Sequence, residues 1–234
     1  GSRSAQKLRQ QGITTALELS RAPDDFIRRL MTVTGARTAR ELRGIECLPL
    51  EYCPPPKKSV TVSRSFGQMV ESLSELEAAL THFTVRAGEK LRRAGMATGS
   101  LTVFVSTNRF RDDLQYSNAV TLCAAPQTDS TLELLALMRA GLRAIFRSGF
   151  KYKKAGVTLL DLSPADTLTR RLWDDDANER MRDLMKTVDR LNRKFGKDSV
   201  HIGMRESAGL WQTKFSRRSP RYTTQWADLV EVKA

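Results

Sequence analysis

The amino-acid sequence predicts an α+β protein: a small helical unit, then a βαββαβ domain with two helices on one face of a four-stranded sheet, then a helical or irregular C-terminal region. Three observations support this prediction. Three prolines follow the helical unit, apolar and polar residues alternate in the strands, and two apolar stripes with helical spacing lie between strands. The expected ranges are a helical unit at 1–50, a linker at 51–56, the βαββαβ domain at 57–162, a second linker at 163–178 and the C-terminal region at 179–234.

The composition is that of a folded protein with a polyanionic partner. Of 234 residues, 40% are hydrophobic and 28% charged, and the formal net charge is +13. This excess favours a polyanion but does not choose between DNA, RNA and acidic protein. Residues 57–162 contribute 15 basic and 9 acidic side chains. Because no run of 18 apolar residues and no signal peptide occurs, we expect a cytosolic protein without membrane contact.

Metal and disulfide chemistry are not expected. The three cysteines lack CxxC spacing, and the two histidines lie far apart in the sequence. The acidic run Asp174–Asp176 is typical of a solvated loop or a helix N-terminus. We therefore predict plain thiols, packing or surface histidines, and no metal ligands.

Residues 5–43 read as short helices with short connections. Gly12 is suited to close the first helix, Thr14 or Thr15 to cap the second, Pro23 to lie in the first turn of the third, and Gly44 to end it. The apolar side is expected to consist of Phe26, Ile27, Leu30, Met31 and Val33. Prolines in the linker at 51–56 favour an extended chain and make it the expected domain boundary.

The first strand, expected at Lys57–Gly67, alternates between apolar and hydroxyl side chains. Val60 and Val62 share one parity with Lys58. The other parity consists of Ser59, Thr61, Ser63 and Ser65. A row of hydroxyls edged by Lys57, Lys58 and Arg64 can donate hydrogen bonds to a sugar-phosphate backbone without reading any base.

Two amphipathic helices are expected at about Glu75–Arg93 and Ser130–Arg147. Their apolar stripes are Leu76, Leu80, Phe83, Ala87 and Leu91 in the first, and Leu132, Leu135, Met138, Leu142 and Ile145 in the second. Further strands are expected at 101–107, 115–123 and 152–162. The residues expected to face the helices are Leu101, Val103, Val105, Ala155, Val157 and Leu159.

The opposite face of this sheet is the candidate DNA-binding surface. It is expected to carry Thr102, Phe104, Ser106, Asn108, Lys154 and Thr158 beside Thr61 and Ser63. Any half-solvated sheet shows polar residues, but the dominance of Ser and Thr over Glu and Lys favours DNA. The predicted DNA-binding residues are Lys57, Lys58, Thr61, Ser63, Arg64, Ser65, Thr102, Ser106, Asn108, Lys153, Lys154 and Thr158.

Several motifs carry a family resemblance. They are KSVTVSRSFG at 58–67, Thr107-Asn108, PQTDST at 126–131 and YKKAGV at 152–157. Together they resemble the little-finger domain of Y-family translesion DNA polymerases, which straddles the major groove near the template-primer junction. The SRSFG spelling at 63–67 and SPRYTT at 219–224 resemble the UmuC branch, the catalytic subunits of DNA polymerase V. The stretches GITTALELS, FIRRLMTV and RTARELRGIECLPLE resemble the thumb of the same branch.

The resemblance implies the DNA-binding and partner-binding portion of an error-prone polymerase of the SOS response. The palm of such enzymes holds carboxylates around magnesium, and no palm, Walker loop, nucleophile elbow or HExxH motif occurs in this sequence. We therefore expect no catalytic residue and no cofactor in this chain, magnesium in a parent polymerase, and no polymerase activity from the chain alone. The alternative is a free-standing, non-enzymatic nucleic-acid-binding or regulatory protein.

Two further partner sites are implied by the resemblance. A sliding-clamp peptide is expected at Leu172 and Trp173, but Thr169 replaces its anchoring Gln, so clamp binding should be weak. The tail is expected to bind a cleaved UmuD-type dimer and a recombinase filament through Trp211, Phe215, Arg221, Tyr222 and Trp226. The alternatives are a disordered tail and packing against an amphipathic helix at 179–195. The apolar stripe of that helix is Met181, Leu184, Val188, Leu191 and Phe195.

Overall fold

The computed structural model describes residues 1–53, 55–165, 177–196, 198–202 and 219–230. The chain divides into two compact units, Gly1–Pro56 and Lys57–Ala234. The predicted clamp residues Leu172 and Trp173 and the tail residues Trp211 and Phe215 lie outside the described residues. Among the helices that the structure describes, none is long and apolar enough to cross a membrane.

The first unit contains three helices: α1 (Ser2–Gln10), α2 (Ala16–Arg21) and α3 (Asp24–Glu41). Gly12 follows α1 with a φ of 76°, and Gly44 follows α3 with a φ of 80°, as expected of residues that leave a helix in the left-handed region. Thr15 caps α2, because its hydroxyl accepts a hydrogen bond from the Glu18 amide and the Glu18 carboxylate accepts one from the Thr15 amide. Pro23 is the N-cap of α3.

The apolar side of this unit differs from the prediction at Val33, which is 47% exposed. Thr32 has a φ of 67°, which interrupts α3 and turns the residues after it away from the expected stripe. Ile27 is buried as predicted. Small residues complete the core: Gly35, Ala36 and Ala39.

Asp24 ties the two ends of α3 together. Its carboxylate pairs with the Arg40 guanidinium at 2.5 Å and with that of Arg43 at 2.8 Å. The hydrogen bond from Arg40 is the main reason that the pKa of the Asp24 carboxyl is held below its ordinary value. Arg43 also donates to the carbonyls of Ser20 and Ala22, so it links the α2–α3 connection to the end of α3.

The second unit has the predicted βαββαβ order, followed by one more helix. Its elements are β1 (Val60–Val70), α4 (Leu73–Arg93), β2 (Met96–Thr107), β3 (Ser117–Thr128), α5 (Thr131–Ile145), β4 (Tyr152–Pro164) and α6 (Ala177–Phe195). The sheet is antiparallel throughout, in the order β1-β4-β2-β3. The α+β class and the four-stranded sheet are therefore confirmed.

The core lies between the sheet and the helices α4 and α5. All five predicted stripe residues of α4 are buried, and so are all six sheet residues predicted to face the helices. Each fully buried large apolar side chain contributes about 1.5–3 kcal/mol, so this layer is the main source of stability for the unit.

Four of the five predicted stripe residues of α5 are buried, and the prediction is wrong only at Leu132. Leu132 is 41% exposed, whereas Leu134 is fully buried. The two residues are two positions apart, which places them about 200° apart around the helix. The face that packs on the sheet is centred on Leu134, Met138 and Leu142. Because α5 is rich in leucine, the sequence alone does not distinguish this face from a neighbouring one.

Helix α6 packs on the same unit through charged groups and one buried methionine. Arg92 of α4 pairs with Asp189, Arg182 pairs with Asp129, and Met185 is 2% exposed. The predicted stripe of α6 is wrong in two positions, because Leu184 is 50% exposed and Phe195 is 65% exposed. The ion pair between Arg92 and Asp189 orients α6. The spacing of apolar residues in the sequence does not reveal this pair.

Candidate nucleic-acid interface

The outer face of the sheet presents three rows of side chains that cross all four strands. The register places Thr61, Thr158, Thr102 and Thr121 in the first row, Ser63, Gly156, Phe104 and Ala119 in the second, and Ser65, Lys154, Ser106 and Ser117 in the third. We call these twelve residues the hydroxyl face. Eight of them are Ser or Thr, one is Lys and none is acidic, so the surface offers hydrogen-bond donors without repelling an anion.

The threonine row is organised into two hydroxyl pairs. Thr61 and Thr158 lie 3.0 Å apart between their Oγ1 atoms, and Thr102 and Thr121 lie 2.8 Å apart. One hydroxyl proton of each pair is used within the pair. Because a hydroxyl has one donor and two acceptor positions, the second proton of each pair is available to an external acceptor such as a phosphate oxygen.

Phe104 occupies the centre of the hydroxyl face above Gly156. A Cβ atom on residue 156 would lie 2.6 Å from Cζ of Phe104 and 2.4 Å from Cβ of Ser63. Glycine is therefore required for the ring to lie across β4. The Lys154 ammonium lies 5.9 Å from the centroid of this ring, so the one cation of the face is placed beside its one aromatic side chain.

Seven of the predicted DNA-binding residues meet on this face. They are Thr61, Ser63, Ser65, Thr102, Ser106, Lys154 and Thr158. Sequence reasoning missed Ser117 and Thr121 of β3, which share a face with Ala119 and alternate with Val120 and Leu122. The alternation of polar and apolar residues in β3 was a sufficient signal to predict both residues.

Arg64 is placed on the other side of the sheet. It is opposite Ala155 in the register and shares the helix-facing parity of Val60. Burial is the main cause of the lowered pKa of His82 in α4, and the charge of Arg64 contributes in the same direction. Arg64 therefore borders the helical layer and does not belong to the hydroxyl face.

The remaining predicted cations and Asn108 have separate environments. Lys153 donates from Nζ to the Phe66 carbonyl at 2.6 Å, so its ammonium is bound to the backbone of β1. Lys57 and Lys58 are exposed just before β1. Asn108 lies beyond the end of β2, where its Oδ1 accepts a hydrogen bond from the Phe110 amide.

Four further cations surround one end of the sheet, where β2 ends and where β3 and β4 begin. We call Arg109, Arg111, Arg147 and Lys151 the basic end. The Arg147 guanidinium carbon lies 5.4 Å from the centroid of the Tyr116 ring, and the Tyr116 hydroxyl donates to the Ile145 carbonyl at 2.7 Å. This contact places the α5–β4 connection beside the β2–β3 connection. Arg111 is paired with Asp113 at 2.9 Å, so its charge is partly neutralised.

The described part of the tail is locally folded with exposed aromatic rings. The Arg221 amide donates to the Asp228 carboxylate at 2.9 Å, and Trp226–Asp228 form a single 3-10 turn. Trp226 is 89% exposed and Tyr222 is 49% exposed. The alternative to partner binding, packing of the tail rings against the 179–195 helix, is therefore not seen for Trp226 in the part of the chain that the structure describes.

Among residues 1–53, 55–165, 177–196, 198–202 and 219–230, no three His, Cys, Asp or Glu side chains gather in a group that would hold a metal ion. We assign no catalytic step to the described residues.

Comparisons with known proteins agree on one family. Residues 57–172 match the impB/mucB/samB family C-terminal domain, and residues 182–232 match a domain of unknown function, DUF4113. SamB of Salmonella typhimurium is 37% identical over the whole chain and 55% of its own length. UmuC of Salmonella typhimurium strain LT2 is 35% identical over the whole chain and 56% of its own length.

A more distant relative is DNA polymerase IV of Dehalococcoides mccartyi, which is 22% identical over 87% of this chain and 50% of its own length. The chain spans about half the length of the curated relatives it matches. Together with the βαββαβ sheet, these matches show that the chain belongs to the impB/mucB/samB family of UmuC-like proteins and is related to the Y-family translesion polymerases.

Proposed function

We propose that the βαββαβ domain is the little finger of an error-prone translesion polymerase and that its hydroxyl face binds the sugar-phosphate backbone of template-primer DNA. The observation that carries this proposal is the composition of the twelve-residue face, with eight hydroxyls, one lysine and no carboxylate. Hydroxyls donate to phosphate oxygens at any base sequence, so the binding is sequence-tolerant.

The charge distribution supports a backbone contact rather than base recognition. The hydroxyl face itself carries only Lys154, and the basic end adjoins its third row. Cations near phosphates release condensed counterions, which supplies affinity and makes it fall with salt. A Ser- and Thr-rich sheet has no long amide or guanidinium side chains in its centre with which to read base edges.

The partner roles extend the same proposal to the rest of the chain. We assign the Gly1–Pro56 unit to the thumb, a second backbone contact. The tail around Tyr222 and Trp226 is the docking site for a cleaved UmuD-type dimer and a recombinase filament, because its rings are exposed.

Clamp binding through Leu172 and Trp173 is weak. The setting is the SOS response of a bacterial cytosol, and the magnesium of nucleotidyl transfer is held by residues other than those described.

The experiment that tests DNA binding is a salt titration of affinity with matched charge variants. Lys154→Gln removes the cation of the hydroxyl face, and Lys90→Gln removes an exposed cation of α4 in the helical layer. Fluorescence anisotropy with duplexes of several sequences should show that Lys154→Gln weakens binding equally for all of them and reduces the slope of log affinity against log salt by about one. Lys90→Gln should leave the slope unchanged.

A second pair of variants tests the hydroxyls at constant charge. Thr102→Val and Thr121→Val keep the shape of the side chain and remove one pair of hydroxyls. Each should weaken duplex binding about two- to tenfold, as expected for a lost hydrogen bond, without changing the salt slope.

Equal effects of Lys154→Gln and Lys90→Gln, or an effect restricted to one DNA sequence, would refute backbone binding by this face.

A further inference from the structure

The β2–β3 connection, residues 108–116, exposes an aromatic ring between two arginines. Phe110 is 85% exposed, and the Arg109 guanidinium carbon lies 5.2 Å from the centroid of its ring. A phenyl ring with a guanidinium on one side is an amphipathic platform, since the ring is apolar and the cation remains hydrated. The cation does not cover the ring, as the exposed fraction shows.

The connection is held in place by one glutamine side chain. Gln115 shares the two protons of Nε2 among the carbonyl oxygens of Asn108 at 3.2 Å, Arg111 at 2.9 Å and Asp113 at 2.8 Å. Its Oε1 accepts a hydrogen bond from the Thr107 hydroxyl at 2.9 Å. A connection with this many internal hydrogen bonds presents Phe110 in a fixed position, so little ordering entropy is lost when a ligand covers the ring.

The surroundings of Phe110 indicate the chemistry of that ligand. Arg109, Arg147 and Lys151 outnumber Asp112 at this end of the sheet, because Asp113 is offset by Arg111, and Lys154 extends the positive charge onto the hydroxyl face. A ligand that matches both features is flat, has an apolar face and carries phosphates. Nucleobases have this character, and aromatic side chains in cationic grooves bind single strands by stacking on their bases. Bases within a duplex are already stacked on both faces, so the available base is an unpaired one.

We propose that Phe110, with Arg109 beside it, is a stacking site for an unpaired nucleobase in the single strand that adjoins the duplex on the hydroxyl face. Gln115 is a positioning residue, because it acts through the conformation of the connection and not by contact with the base. This site rests on the proposed function, since the hydroxyl face determines where the duplex lies.

The test uses the full chain and two labelled probes, an oligothymidylate single strand and a blunt duplex, with affinities measured by fluorescence anisotropy at one salt concentration. Phe110→Ala should weaken single-strand binding about tenfold and duplex binding less than twofold. Phe110→Trp should keep single-strand affinity, because indole also stacks. Leu114→Ala is the matched control, since Leu114 is an apolar side chain of the same connection and is 72% exposed.

A second readout detects stacking directly. A recessed duplex with 2-aminopurine at successive positions of its overhang should show a fluorescence change at one or two positions, lost in Phe110→Ala and reduced in Gln115→Ala. The site is overturned if the single strand does not bind, if Phe110→Ala binds it as the parent chain does, or if Leu114→Ala is equally weakened. In contrast, failure of the parent chain to bind duplex, or duplex binding that is indifferent to Lys154→Gln, would overturn the proposed function.

Discussion

Arg92 of α4 and Asp189 of α6 form a bidentate ion pair, with 2.7 Å from Nε to Oδ2 and 2.9 Å between the second nitrogen and oxygen. The remaining guanidinium nitrogen donates to the Asp129 carbonyl and the Thr131 hydroxyl, both at 2.8 Å. Arg92 is 8% exposed and Asp189 is 17% exposed. One side chain thus connects α4, the start of α5 and α6, and it joins the regions matched by the two family models.

Removal of the acidic partner should destabilise this unit. Asp189→Ala leaves the buried Arg92 guanidinium without its counter-charge, so we expect the free energy of unfolding to fall by about 3 kcal/mol. Urea unfolding followed by far-UV circular dichroism measures the change. The control is Asp183→Ala on the same helix, because Asp183 is 67% exposed in its pair with Lys186 and should contribute less than about 1 kcal/mol. Equal midpoints for both variants would show that the Arg92 pair does not hold α6.

Gly156 should tolerate no side chain. A Cβ atom there would overlap Cβ of Ser63 and the ring of Phe104, so Gly156→Ala should cost about 1–3 kcal/mol of stability, measured by thermal unfolding. Adding Phe104→Leu should restore only part of the loss, since Ser63 remains. Ala119→Ser, in the same row but exposed, is the control and should be neutral. A neutral Gly156→Ala would show that the ring does not lie across β4.

Lys153 should contribute to stability and not to DNA binding. Its ammonium donates to the Phe66 carbonyl where the β1–β4 register shifts between Ser65 and Val70. Lys153→Met should therefore lower the free energy of unfolding by about 1–3 kcal/mol, the cost of an unsatisfied buried acceptor. Its salt slope for duplex binding should equal that of the parent chain, and a lower slope would return Lys153 to the DNA-binding set. Lys151→Met, an exposed neighbour, is the stability control.

The stability of the second unit should depend on pH through His82. Burial lowers the pKa of His82 in the folded state, Asp198 opposes this shift, and Arg86 and Arg64 add to it. The unfolded chain therefore binds the proton more tightly, so this contribution is favourable above the ordinary pKa of 6.5 and is lost as pH falls from 6.5 to the lowered folded value. His82→Gln should have a flatter profile of unfolding free energy between neutral and mildly acidic pH. Parallel profiles would contradict the shift.

The parts of the fold that follow from local periodicity were predictable. Valines alternate with hydroxyls in β1, so the identity of the outer face is contained in the spacing of residues such as Val60 and Thr61. The stripe of α4 is equally clear, because its buried positions recur at three and four residues. The six hydroxyl residues and Lys154 that were correctly assigned to this face follow from alternation within each strand, and only the register across the strands had to come from the structure.

The parts that depend on distant partners were not predictable. Arg92 and Asp189 are 97 residues apart, and nothing in the neighbourhood of either one identifies the other. This pair sets the rotation of α6, which is why Leu184 is half exposed despite its apolar spacing. The positive φ of Thr32 was not predictable from the residue type either, because threonine rarely adopts a positive φ. The platform at Phe110 depends on hydrogen bonds of Gln115 that alternation does not reveal.

The strand order β1-β4-β2-β3 has a consequence for synthesis of the protein. Strand β1 is translated before the other three strands, yet in the part of the chain that the structure describes it pairs only with β4, which is translated last of the four. During translation, β1 therefore remains unpaired until the βαββαβ domain is nearly complete. Pairing of two strands that lie this far apart in the sequence is slow. Polar side chains along an unpaired strand oppose aggregation. We therefore expect Thr61, Ser63 and Ser65, which are proposed to bind DNA in the folded domain, also to keep β1 hydrated during translation.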